Sequence, residues 1–234
     1  MVHEIVIGGV SIDVLFKDIK NVHLSVYPPT GRVRVSAPVH MTIESIRLFA
    51  AAKIGWIRRH QGNVRSQARE SPREYIERES HRVWGNRYLL RIREAARAEV
   101  ALGHHTLELS VPKGSNADDR RRIVDEWYRA ELRERAGPLL DKWAKQLGVS
   151  FSGFTIQRMK TKWGSSSPDR HMVRLNLELA KFPPGCLDYV ALHEIAHFVV
   201  PNHNERFRSI LDSNMPGWRN TRDLLNEGPL AEID

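Results

Sequence analysis

The stretch LDYVALHEIAHFVVPNHNERF, residues 187–207, decides how the rest of the chain is read. Its apolar residues recur at helical spacing, and three histidines and a glutamate fall between His193 and His203. On a helix, positions four apart lie one above the other on one face, so His193 and His197 aim both imidazoles at the same point. Leu192, Ile195, Ala196 and Val199 form an apolar stripe on the opposite flank. That stripe anchors the helix in a core while the histidine edge, with Glu194 beside it, faces a cleft. The pattern is H-E-x-x-H, in which neutral imidazoles hold Zn²⁺. Zinc lowers the pKa of its water towards ~7, and Glu194 is the natural general base to take that proton and carry it to a departing amine.

A catalytic zinc site has three protein ligands and one open position. Pro201 forces the helix to stop, because the residue before a proline is pushed out of helical geometry. Asn202 is then read as the cap of the next helix, and His203, just past the turn, as the third ligand. Glu205 and the more distant Asp212 are its rivals, with Glu205 expected to face solvent. The five-residue gap between His197 and His203 matches the metzincins, but they carry glycine where this chain has Val200, so Met215 is read as a packing residue and not as their Met-turn. The competing structural reading leaves His193 and His197 as cleft histidines satisfied by carbonyls, with Glu194 as their ion partner.

Outward from this stretch, FTIQRMK and HMVRLNLELA read as two strands joined by the turn TKWGSSSPDR. An edge along VRLNLELA is where an extended peptide would pair. Arg174, Asn176 and His171 are the candidate substrate-binding residues there, His171 as an oxyanion stabiliser. Arg158, Lys160 and Lys162 are possible anion ligands, whereas Trp163 is read as a core plug. A helix is expected from about Asp118 to Leu147, buried through Ile123, Trp127, Leu132, Leu139, Leu140 and Trp143, split at Gly137-Pro138 and ended by Gly148. The polar run PKGSNADD before it marks a domain boundary.

Before that boundary the chain alternates as strands do. SIDVLFK, NVHLSVY and RVRVSAP are expected strands, the last two forming a hairpin across Pro28, Pro29 and Gly31. Ile43, Ile46, Leu48, Phe49, Ala52, Trp56 and Ile57 repeat at helical spacing behind the N-cap Thr42. WGNRYLLRIREA and HTLELSVP read as further strands. Adjacent His104 and His105 would point apart in a strand, which disfavours joint chelation.

Composition bounds the function classes. The single cysteine, Cys186, excludes an intramolecular disulfide and a cysteine-based zinc site, and it reads as a small buried filler. The N-terminus lacks the basic start and apolar block of a secretory signal, and no apolar run approaches membrane-spanning length. A soluble cytoplasmic protein is expected, with no membrane partner. The formal charge of +8 is concentrated in arginines between Lys53 and Arg93. One reading is a surface for nucleic acid; the other is a solvated helix face with Glu70, Glu74, Glu77 and Glu79 paired along it.

RMKTKWGSSS, VRLNLELA, PPGCLDYVALHEIAH and PNHNERF together resemble the YgjP-like metallopeptidase family, relatives of SprT- and WLM-type zincins. The match is close over about residues 150–212 and looser over VHLSVYPPTGRVRVSAP, KIGWIRRH and WGNRYLLRI. The resemblance implies His193, His197 and His203 as zinc ligands and Glu194 as catalytic base. The chain departs from the family at Ser166, where a cysteine commonly follows WGS. The expected architecture is α+β: an N-terminal mostly β module over 1–112, then a zincin-like catalytic module over 113–234 with the H-E-x-x-H helix beside a small sheet. The expected activity is zinc-dependent hydrolysis of a peptide or protein substrate. The alternatives are a metal-dependent nucleotide pyrophosphatase acting on nucleoside triphosphates, or a nucleic-acid-associated module with a protease-like metal site.

Overall fold

A computed structural model describes residues 2–27, 30–66, 73–159 and 161–227. They divide into two compact units, one running to Ser66 and the other from Arg73 onward. Strands and helices are mixed in both, making the protein α+β. Among the described residues no helix is long and apolar enough to cross a membrane.

The first unit carries β1 (Val2–Ile7), β2 (Val10–Lys17), β3 (His23–Tyr27) and β4 (Arg32–Pro38), in the sheet order β1-β2-β4-β3. Alternation in β2 and β4 sends Val10, Ile12, Val14, Val33 and Val35 to one face. They meet Ile46 of α1 (Ile43–Ala52) and Ile57 of α2 (Ile54–Ser66) in one core. The hairpin expected between β3 and β4 forms, Val26 lying opposite Val33. Pro28 and Pro29 lie outside the described residues. Thr42 caps α1 by accepting from Ser45 N. The expected apolar face narrows, however: Leu48 and Trp56 are 68% and 38% exposed, because Ile46, Ala50 and Ile57, flanked by Ile43 and Ile54, fill the space over the sheet.

The second unit opens with β5 (Ser80–Val83), β6 (Asn86–Glu94), β7 (Glu99–Leu102) and β8 (Thr106–Val111), ordered β5-β6-β8-β7. The turn at residues 112–116 therefore lies inside a unit and does not bound one, since Val111 before it and Val124 after it share a core. His104 and His105 occupy the turn between β7 and β8, not a strand, and their rings meet edge to face at 4.2 Å. The segment before β5 is not a charge-paired helix face either: Glu79 accepts the backbone N–H groups of Glu74 and Tyr75, and Glu77 that of Ile92. Glu70 is outside the described residues.

Helix α3 (Ala117–Leu147) is capped by an Asn116/Asp119 box and closed by left-handed Gly148 at φ 66°. It buries Val124, Tyr128, Leu132, Ala136, Leu140 and Trp143. Ile123, Trp127 and Leu139 flank that face half-buried. It is one helix, not two. Pro138 and Glu134, four residues back, are both exposed, so the carbonyl that proline leaves without a donor faces water.

Three short strands follow: β9 (Gly153–Gln157), β10 (Gly164–Ser167) and β11 (Met172–Asn176), ordered β10-β11-β9. The expected turn thus contains a strand, and LELA is a 3₁₀ turn instead of a strand extension. Helices α4 (Pro184–Ala196), α5 (Glu205–Asn214) and α6 (Trp218–Glu227) complete the unit. The β5–β6 hairpin turns through Trp84 and Gly85, both at positive φ, and their N–H groups donate to Ala180 and Lys181 carbonyls at 2.8 and 3.1 Å. A Cβ on Gly85 would lie 2.9 Å from Pro183, so only glycine lets the hairpin tip seat where α4 begins.

Leu140→Ala, which empties a fully buried position, is expected to lower the unfolding free energy by roughly 2–5 kcal/mol in urea denaturation. Leu139→Ala, half-buried on the same turn, is expected to cost less; equal losses would contradict this packing.

Candidate metal centre

Helix α4 is buried nearly all round: Cys186, Leu187, Val190, Ala191, Leu192, Ile195 and Ala196 are in the core. Proline in its first turn is tolerated because those N–H groups have no partner within the helix. Trp143 Nε1 donates to Asp188 Oδ1 at 2.7 Å, tying α3 to it. One edge remains partly open, and it carries His193 and His197. Burial pushes the Cys186 thiol up to about 11, as befits a filler.

The chain leaves α4 in a turn, with Val200 N donating to Ala196 O at 2.9 Å. The next helix is capped by Asn204, whose side chain accepts from Phe207 N at 3.0 Å, and not by the expected Asn202. The cap has to stand directly before the first helical residue to reach the third N–H, and Glu205 is that first residue. The turn returns His203 so that its Nε2 lies 3.0 Å from His193 Nε2. One ring nitrogen from each of His193, His197 and His203 lies within 4.8 Å of the others. Glu205 is exposed, Asp212 is taken up by Trp218 and Arg219, and Met215 packs against the core.

Two of the imidazoles are held from behind. The His193 Nδ1 faces the Tyr189 hydroxyl at 3.4 Å and the His197 Nδ1 faces the Val200 carbonyl at 3.3 Å. With Nδ1–H donating in both, Nε2 keeps its lone pair and points inward. All three rings rest on Phe207, 1% exposed, at centroid distances of 5.0, 4.7 and 4.8 Å. Burial, then the neighbouring His197 and His203, pushes His193 down to about 3. Burial also lowers His197, partly offset by its bond to Val200. Both shifts favour the neutral form of His193 and His197. Two nitrogens about 2.05 Å from a tetrahedral ion stand roughly 3.3 Å apart, close to the observed His193–His203 spacing. The donor set fits a divalent metal that takes imidazole ligands.

Glu194 is 6% exposed, and burial pushes its carboxyl up to about 7 against the opposing hydrogen bond from Ser166 and the charge of Lys162. Its carboxylate lies against β10: a Cβ built on Gly164 would stand 2.5 to 2.9 Å from Glu194 Oε1, Cγ and Cδ. These atoms border a cavity of about 650 Å³, with Lys162, Trp163 and Ser165 on the sheet side and Arg222 and Leu225 from α6.

The substrate-binding candidates do not come to this cavity. Strand β11 is the centre of its sheet, and β10 is the edge beside α4. The fully buried Asn176 spends its amide on Met159 N and O and Lys162 O, and its N–H donates to Trp163 O at 2.9 Å. It clamps the loop ahead of β10. Arg174 is exposed outside the cavity lining. His171, left-handed at φ 52°, packs its ring near Phe198 and bonds Ser150 O. Arg158 is an internal anchor, paired with Asp125 at 2.7 Å and Glu178 at 3.0 Å, and not an anion ligand. Lys160 lies outside the described residues. Trp163 packs edge to face with Phe182 at 4.8 Å while also bordering the cavity. Gly164, Ser166 and Phe207 escaped the sequence reading as site residues; the glycine in WGSSS and the aromatic four residues past His203 were their available signals.

No curated protein matches the chain. Among solved structures, the metallopeptidase zymogen of Pyrococcus abyssi abylysin shares 17% identity at a TM-score of 0.37, covering 41% of this chain and 99% of its own. That of Methanocaldococcus jannaschii jannalysin shares 24% at 0.35, covering 38% and 92%. The family model described as the YgjP-like metallopeptidase domain matches residues 20–228, nearly the whole chain. The chain belongs to the YgjP-like metallopeptidase family.

Proposed function

We propose that the protein hydrolyses peptide bonds with zinc held by His193, His197 and His203 and with Glu194 as general base. The observation that carries this reading is the placement of a buried, elevated carboxyl next to three converging imidazoles at one cavity. Zinc bound there supplies a Lewis acid that polarises the scissile carbonyl and makes water acidic enough to lose a proton at neutral pH. The Glu194 carboxylate accepts that proton and delivers it to the leaving amine nitrogen, a task suited to a carboxyl near 7. Gly164 and Ser166 hold the carboxylate in place, one by close approach and the other by its hydroxyl. The tyrosine behind His193 and the carbonyl behind His197 fix which nitrogen of each ring points inward. Strand β10 offers main-chain groups at a sheet edge, where an extended substrate is oriented by adding a strand.

Glu194→Gln keeps the shape of the side chain and removes the base. It is expected to lower kcat on a peptide library by roughly 10²–10⁴-fold while zinc content by metal analysis stays unchanged. Gly164→Ala is expected to push the carboxylate aside and cost roughly 10²-fold in kcat, again with zinc retained. His203→Ala should instead weaken zinc binding by more than the roughly 10–100-fold typical of an outer hydrogen-bond partner. Chelation of the wild type is expected to remove activity, and zinc addition to restore it. Full activity of the chelated protein, or of Glu194→Gln, would overturn the assignment.

A further inference from the structure

The charges around the cavity are one-sided. Among its described lining residues Glu194 is the single acid, and that group belongs to the reaction. Two cations stand with it: Lys162, on the loop between β9 and β10, and Arg222, on α6. Lys162 is exposed and makes no ion pair among the described residues, and its charge reaches Glu194. Arg222 is half exposed and its charge reaches Tyr189. It bonds Asp223 on its own helix at 2.8 and 3.0 Å and lies 5.3 Å over the Trp218 ring. That pair is open to water, where an ion pair contributes little, so Asp223 is readily exchanged for another carboxylate.

Lys162 comes to the cavity from the loop ahead of β10 and Arg222 from α6. A substrate lying along β10 with its scissile bond at Glu194 would meet both positive charges within that cavity. A protein with a formal charge of +8 also attracts acidic chains over longer range.

We infer that the site selects acidic peptide segments, with Lys162 and Arg222 each receiving a substrate carboxylate near the scissile bond. The inference rests on the peptidase reading and names the substrate class of that same site. Neither residue performs chemistry; both determine specificity.

Binding and cleavage are measured separately. The zinc-loaded Glu194→Gln protein is titrated with fluorescent peptides of one backbone carrying Glu, Gln or Lys around a central bond. The titrations are repeated with Lys162→Gln or Arg222→Gln added, and UTP is tested as a competitor. Wild-type protein is assayed for cleavage of the same peptides. The expected result is tightest binding of the Glu peptide, with the Glu-to-Gln affinity ratio falling roughly fivefold on loss of either cation and shrinking as salt rises. Because the ratio is taken within each variant, a general loss of affinity cancels. Equal affinities for the three peptides would overturn the inference and leave the peptidase reading intact, provided the wild type cleaves them. An acidic preference that survives both replacements would overturn the assignment to Lys162 and Arg222. UTP binding in preference to every peptide would overturn it in favour of a phosphate ligand. Selective binding of the Glu peptide with no cleavage by the wild type would sink the peptidase reading alone.

Discussion

Three imidazoles gathered against one benzyl ring are the constraint on which the site depends. Phe207 touches His193, His197 and His203 at once and is itself shut off from water. For His193 and His197 burial, aided by the proximity of neighbouring rings, favours the neutral form. Neutral rings present lone pairs, and lone pairs are what a cation takes. The Asn204 cap is part of the same device. By starting α5 at Glu205, two residues after His203, it brings Phe207 under the rings within one helical turn.

The Glu194 carboxylate depends on a second contact, between elements far apart in sequence. Glu194 sits on a helix and Gly164 on a strand, and they approach so closely that a methyl group would not fit between them. The loop ahead of that strand has no ladder of its own, so its polar groups need other partners. Asn176 supplies them from the neighbouring strand. Glu178, almost wholly buried, ties Arg158 at the start of the loop to Lys181 near the start of α4. The hairpin at Trp84 and Gly85 is bonded to the residues just before the same helix. Strand, loop and hairpin thus all fix the position of α4, which carries His193 and Glu194 and ends at its C-cap His197.

Most of the second unit's elements were legible because apolar residues repeat with a clear period, as in α3, α4, β6 and β8. Strand β10 was not, since Gly-Ser-Ser-Ser has neither alternation nor apolar side chains; it is a strand because β11 pairs with it. The same pairing moved the sheet edge away from VRLNLELA. Pro138 read as a break and is not one, because exposure on the outer face of α3 lets water take the place of the missing donor. Leu48 and Trp56 fit the helical period yet face outward, since period says which residues share a face and not how wide a face the sheet covers.

By itself the sequence determined which residues can ligate and which can act as base, because a spacing of four on a helix puts two imidazoles on one edge whatever surrounds them. It also determined that a third histidine follows a forced helix end. Only the tertiary structure decided that this histidine returns to the first, that Phe207 underlies all three, and that Gly164 rather than Asn176 meets the carboxylate. Those contacts join residues whose separation along the chain carries no period. They are settled by packing between elements, and a linear pattern holds no record of that.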